Sequence, residues 1–401
     1  MPGPIVLLAL LGLLLTAGCT AKPDAAGSSP VALRLIPERG IQPEAARDST
    51  GRIHLLYFAG QPNHGDLYYV VSTDDGATFS KPLRVNSREG SAVATGTVRG
   101  GQLALGPNGR PHVVWNDSGH PQPGGPVDPT TGRRSFQLFY SRLDDSGAAF
   151  EPQRDLLHHT VNLDGGASIA ADSNGSVYVA WHGNDARSRE RDESHRAVWI
   201  TRSLDGGAKF EEERLASDEA KGACGCCAVK LLAETPDTFL LYRSATALTS
   251  RDIYFLRSPD GGRSFKSSRV DEWRINACPM TTMTLARSGE RLLGGWETEG
   301  RVVFAELDAT SGTIRRRIDV SVRSNTKHPR VATNDRGESL LVWAAGTSWS
   351  RGGSLAWRML DAAGRPDPRT SGPVDGPSQS IPVWSYAAAV ARRDGGFVIF
   401  H

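Results

Sequence analysis

Groups able to do chemistry recur in this chain where short apolar runs begin and end. The openings are Pro43-Glu44, Val98-Arg99-Gly100, Asp164-Gly165-Gly166, Cys224-Gly225-Cys226-Cys227, Cys278-Pro279-Met280, Lys327-His328-Pro329-Arg330 and Trp384-Ser385-Tyr386. The ends add Asn116, Asp117, His182, Arg243, Glu297 and His401. Acids, bases, thiols and imidazoles brought to one place are more chemistry than a scaffold requires, and they predict a binding or catalytic mouth.

The thiols carry the sharpest alternatives. Beyond Cys19 the chain has four cysteines, Cys224, Cys226, Cys227 and Cys278. In an oxidising compartment they predict disulfides, with Cys278 bridged to the Cys-Gly-Cys-Cys segment as one natural pairing of three. The alternative is a soft-metal site for copper or zinc, in which the thiolates are joined by Met280 or His328.

These residues must be positioned by a repeated element. A run ending in an aromatic, usually after a turn containing glycine, recurs seven times: Gly51 to Tyr57, Gly109 to Trp115, Gly175 to Trp181, Asp237 to Tyr242, Gly289 to Trp296, Gly337 to Trp343 and Gly395 to Phe400. The closing aromatics lie 47 to 66 residues apart. Apolar runs of this length are strands buried on both faces, and a period of this size with four short strands per unit predicts a β-propeller. With 44 glycines and 24 prolines in 401 residues, the punctuation also favours short strands over long helices.

A second element lies between the runs. Ser72-x-Asp74-x-Gly76-x-x-Phe79, Ser203-x-Asp205-x-Gly207-x-x-Phe210 and Ser258-x-Asp260-x-Gly262-x-x-Phe265 share one spacing. Serine and aspartate can bond turn amides, glycine supplies positive φ, and the aromatic tucks beneath the turn. Segments 141–150, 307–314 and 360–366 look like worn copies. The pattern resembles the Asp-box, or bacterial neuraminidase repeat, of the sialidase-like propellers. That resemblance spans residues 31–401 and implies that the acids of the boxes are structural.

The predicted fold is therefore all-β, a seven-bladed propeller with a short last blade. The segment Val31 to Ile36 closes it beside Tyr386 to His401 and hides an edge. Six blades with an extra hairpin is the alternative. The long loops Asp117 to Ser135 and Gly183 to Arg196 fall on the face that carries the strand openings, where ligands are expected. The run Arg187 to His195 is expected to be a solvated lid, and His158-His159 a solvated surface pair.

The sialidase resemblance implies specific roles. Tyr386 stands where such enzymes carry a nucleophilic tyrosine, with Glu297 as its activating base, and Arg99, Arg243 and Arg330 would hold an anion. Asp164, His182 and His328 complete the expected ligand-binding set. The chain departs from the family where Ile41-Gln42-Pro43 replaces the Arg-Ile-Pro that opens a sialidase's first inner strand. The function expected is recognition or processing of a glycan or other anionic small ligand. Non-enzymatic binding or assembly, and a metal or redox protein built on the four cysteines, are the alternatives.

The first residues are expected to be an address. Ile5 to Leu15 is an apolar run too short to span a bilayer, and it ends in Leu15-Thr16-Ala17-Gly18-Cys19. This resembles a bacterial lipobox and implies residues 1–18 as a signal peptide, lipidation of Cys19, residues 19–30 as a tether and a place in the cell envelope. Lys plus Arg number 46 against 44 Asp plus Glu, a formal net charge of +2 that excludes a strongly basic nucleic-acid binder. The lipid would be the sole membrane contact, and a monomer is expected.

Overall fold

A computed structural model describes residues 1, 3, 29–96, 98–125, 127, 132–318, 320, 325–368 and 379–401. The segment expected to be a lipobox, with Cys19, lies outside the described residues. Seven small sheets follow one another along the chain. Blade 1 is built from Ile41–Arg47, Ile53–Gln61, His64–Ser72 and Leu83–Arg84, each strand antiparallel to the next. Blades 2 to 6 repeat that order, and blade 3 carries an additional short strand, Thr160–Val161. The innermost strands of successive blades are neighbours around a closed ring, so the strand openings gather about one axis.

The second strand of each blade is the core element. Tyr57, Trp115, Trp181, Tyr242, Trp296, Trp343 and Phe400, the aromatics that end the seven runs, are all buried. Each fills the space between its own blade and a neighbour, so successive apolar clusters run around the ring. Burial of such side chains contributes roughly 1.5–3 kcal/mol apiece.

Blade 7 is short, as expected, with Ala388–Ala391 and Phe397–Phe400 completed by Val31–Arg34. The closing strand lies parallel to Phe397–Phe400 and directly against it. The sequence likens it to an outermost strand such as Pro82 to Asn86. No hairpin ties it to its partner, so nothing obliges the antiparallel arrangement of the other blades. Phe397 N–H donates to Pro30 O at 2.8 Å and His401 N–H to Arg34 O at 3.1 Å.

The Asp-box turns are built as the spacing requires. In the third, Ser258 Oγ donates to Asp260 Oδ1 at 2.6 Å and accepts from Gly262 N–H at 2.8 Å, while Asp260 Oδ1 also accepts from Ser264 N–H at 3.0 Å. Gly262 has φ +77, a region that excludes a β-carbon at low cost. The first and second boxes repeat these bonds. In the worn copies Asp144, Asp308 and Asp361 each accept from turn amides.

Candidate functional site

Two inner strands enter the axis through the same distortion. Pairing in blade 1 shifts register between Ile41 and Glu44, and in blade 6 between Lys327 and Arg330. Each shift contains a proline, Pro43 or Pro329, which has no N–H for the ladder. The preceding residues, Gln42 and His328, stand at φ +52 and +58. Met280 and Trp384, at two further openings, are at φ +49 and +58. Backbone of this kind persists where surrounding contacts hold it, and it clusters at sites.

The two bulges aim Glu44 and Arg330 at each other. Arg330 Nη2 donates to Glu44 Oε1, which also accepts from Gln102 Nε2 at 3.1 Å and Tyr386 Oη at 3.2 Å. Arg330 lies over the Tyr386 ring, 4.4 Å from its centroid. All four residues are buried, Tyr386 being 1% exposed, and burial pushes its phenol well above the ordinary tyrosine range. Gln42 belongs to the same plug, since its N–H donates to Ser385 Oγ at 3.0 Å and its Nε2 to Trp384 O at 2.7 Å.

The carboxylate that meets Tyr386 is therefore Glu44. Glu297 is engaged by Lys327 Nζ at 2.9 and 3.0 Å, and burial raises its carboxyl above the usual range despite that cation. Lys327 Nζ also donates to Pro279 O. The three expected arginines do not form one clamp. Arg243 donates to Arg251 O at 2.7 Å and to Glu297 O, Arg330 holds Glu44, and Arg99 binds Asp164 through both its backbone and its carboxylate. Arg99 and Asp164 are partly exposed at the rim.

His182 and His328 are buried, and burial lowers both below the ordinary imidazole range. His182 Nε2 lies 2.9 Å from Cys227 O, and Nδ1 of each ring has no hydrogen-bond partner among the described residues. His328 and Met280 line a cavity of about 10 Å³ with Gly96, Lys327, Thr347 and Trp349, the room of roughly one water. A second aromatic edge completes this rim. Trp349 is 44% exposed and meets Trp384 edge-on at 6.3 Å, and both Trp349 and Arg99 pack against Gly96.

The cysteines sit at the next sector of the mouth. All four are free thiols, and the expected bridge from Cys278 is not formed. Cys224, Cys226 and Cys227 instead turn in upon one another, with all three Sγ atoms within 4.8 Å. Cys224 Sγ lies 3.3 Å from Cys226 Sγ and 3.7 Å from Cys227 Sγ, and Cys278 meets Cys226 from outside. The run Arg187 to His195, expected as a solvated lid, is partly anchored here. Glu193 accepts from Gly225 N–H at 2.8 Å and from Arg251 Nη2 at 2.7 Å. Arg196 fills the space that a side chain at Gly225 would need. His158 and His159 lie on the rim of blade 3, their N–H groups donating to Glu213.

Solved structures with this architecture identify the fold. A protein of unknown function from Dyadobacter fermentans superposes with a TM-score of 0.53 at 16% identity, covering 79% of this chain and 93% of the other. The Hadza microbial sialidase Hz136 gives 0.53 at 12% identity, with 81% and 66% covered. The fold shared with that enzyme is the β-propeller. The Trypanosoma rangeli sialidase gives 0.51 at 13% identity, with 77% and 53% covered, so this chain spans about half to two thirds of the length of those two enzymes. No protein-family model and no curated protein matches the sequence.

The shared prolines were the signal that sequence reasoning missed. Gln42-Pro43-Glu44 and His328-Pro329-Arg330 are one pattern with opposite charges, and together with Gln102 they identify the plug around Tyr386. Trp349 was missed because it opens no strand and lies in a loop of blade 6.

Proposed function

We propose that this protein is an exported, lipid-anchored propeller that recognises a glycan at its loop face without hydrolysing it. The observation that carries the reading is the contrast between the rim and the axis. At the rim, the exposed Trp349, braced by Trp384, stands beside the Arg99–Asp164 pair, an apolar plane next to fixed polar groups. Such a plane takes the apolar face of a sugar ring, while neighbouring polar groups read its hydroxyls or an acidic substituent. On the axis, Tyr386 is buried, and the arginines and carboxylates around it are already engaged with one another. Export and lipid anchoring are supported by the apolar run Ile5 to Leu15 and by Cys19 behind it.

Calorimetric titration with sialylated, uronic-acid-containing and neutral oligosaccharides tests the reading. Saturable binding that weakens about tenfold or more in Trp349→Ala, a loss of roughly 1.4 kcal/mol, is expected. Unchanged binding in that variant would overturn it. The contact between Tyr386 and Glu44 favours a second reading, sialoside hydrolysis. Turnover of a fluorogenic sialoside that disappears in Tyr386→Phe would establish hydrolysis and displace the binding role.

A further inference from the structure

We propose that Cys224, Cys226 and Cys227 form a thiolate site for a thiophilic d10 metal ion, with copper(I) favoured and zinc as the competitor. The site does not depend on the glycan reading, since it uses none of the residues of the tryptophan rim.

The geometry fits coordination better than a disulfide. A disulfide needs sulfurs about 2.05 Å apart. A metal with bonds of about 2.3 Å sets its sulfurs about 3.8 Å apart in a tetrahedron and about 4.0 Å apart in a triangle. Cys224 and Cys227 stand at 3.7 Å, Cys224 and Cys226 at 3.3 Å, and all three within 4.8 Å. On one ion the Cys224–Cys226 pair would open by about 0.5–0.7 Å, a shift within reach of side-chain rotation.

The loop is held before any ion arrives. Cys224 N–H donates to Arg243 O at 2.9 Å, Cys227 N–H to Cys224 O at 3.4 Å, and Ala228 N–H to Thr281 O at 3.1 Å. Glu193 fixes Gly225, and His182 fixes the Cys227 carbonyl. Gly165 is required beside this loop, because a β-carbon there would strike the carbonyls of Gly225 and Cys227. Rigid ligands lower the ordering cost of binding.

Coordination number, more than charge, selects the ion. Three thiolates around a monovalent ion leave a net charge of −2, and around a divalent ion −1. Two buried guanidiniums face the cluster: Arg251 acts on Cys224 and Arg243 on Cys227. Nε and Nη1 of Arg251 and Nε of Arg243 are buried without hydrogen-bond partners among the described residues. Glu193 already pairs with Arg251 at 2.7 Å, so charge alone does not choose; copper(I) is favoured because it accepts a trigonal set of soft thiolates. Zinc wants a fourth ligand, and Cys278, which meets Cys226 from the solvent side, is the group available. Binding converts each thiol to thiolate, and the protons leave to solvent.

The full chain, purified without chelator from cells supplied with copper or with zinc, is assayed for metal per polypeptide. X-ray absorption at the metal edge reads the ligands directly and needs no variant. The expected result is about one equivalent of metal with sulfur scatterers at about 2.2–2.3 Å. Copper is expected to be retained against a copper(I) chelator, and retention should fall at least tenfold in Cys224→Ser and in Cys226→Ser. Circular dichroism identifies any variant that fails to fold, and Cys226, the half-buried member, is the one that tolerates replacement. Three sulfurs with copper, independent of Cys278, identify copper(I). Four sulfurs with zinc, lost in Cys278→Ser, keep the site and assign it to zinc. A chain that stays metal-free after reconstitution with either ion, or whose unreduced mass is about 2 Da low for a disulfide, overturns the proposal. Trp349→Ala is expected to leave metal content unchanged, so failure of the glycan reading and failure of this one are distinguishable.

Discussion

Removing Arg330 should destabilise the propeller more than removing Arg330 and the charge of Glu44 together. Glu44 is 9% exposed and its Oε1 receives Arg330, Gln102 at 3.1 Å and Tyr386 at 3.2 Å. Arg330→Met leaves that carboxylate with two neutral donors and also removes the cation over the Tyr386 ring. Breaking a buried pair from one side costs about 3–5 kcal/mol. The charge of Lys230 also reaches Glu44 and sets the lower end of that range. In Glu44→Gln/Arg330→Met no charge is stranded, and the introduced amide would keep partners in Tyr386 and Gln102. The double variant should therefore recover about 2 kcal/mol relative to Arg330→Met, a coupling well above the scatter expected of independent sites. Urea midpoints of the wild type, both single variants and the double variant close the cycle. Additive losses, or a single-variant cost below about 1 kcal/mol, would refute the claim that this ion pair is a desolvated joint between blades 1 and 6.

The other predictions concern the frame. Asp260→Ala removes the acceptor for Ser258, Arg263 and Ser264 and should lower stability by about 1–2 kcal/mol, with metal and glycan binding unchanged; a change at the mouth would show that the boxes are not merely structural. His112 is buried and desolvated, with Nδ1 2.7 Å from Tyr140 Oη, and its imidazole is pushed down to about 3. The unfolded chain takes up that proton first, so the stability contribution is complete above an ordinary imidazole value of about 6.5 and falls as the pH drops toward about 3. Between about pH 7.5 and pH 5 the loss from this residue is about 2 kcal/mol, read as a steeper acid-side decline in urea midpoint for the wild type than for His112→Gln. Ile36→Ala hollows the seam that closes blade 7 and should cost about 2–4 kcal/mol, measured by thermal unfolding; a neutral result would mean that the N-terminal strand does not fasten the ring.

The blades were legible because their determinants are local. A run such as Gly175 to Trp181 specifies a turn, a doubly buried strand and a closing aromatic within seven residues, and the Asp-box specifies its own hydrogen bonds within eight. Positions on the axis were legible for the same reason, since an inner strand must begin where the chain returns to the centre. Pairings across the axis were not. Glu44 is 286 residues from Arg330 and 342 from Tyr386, and which carboxylate meets the tyrosine depends on two bulges and on the twist of the blades between them. The sialidase resemblance nominated Glu297, which ends a strand, yet it is Lys327 from the next blade that engages it.

The same asymmetry separates the two proposed sites. The ion pairs Glu44–Arg330 and Glu297–Lys327 occupy the axis with charges already engaged with one another. Blade 4 opens differently, on Cys224-Gly225-Cys226-Cys227, and the facing arginines Arg243 and Arg251 carry nitrogens without partners among the described residues. The rim at Trp349 is similarly open, but apolar. A mouth sealed at its centre and incomplete at two separate sectors should bind at those sectors independently. Metal loading should therefore leave glycan affinity unchanged within about twofold, and a larger coupling would mean that the axial plug moves when the thiolates are filled.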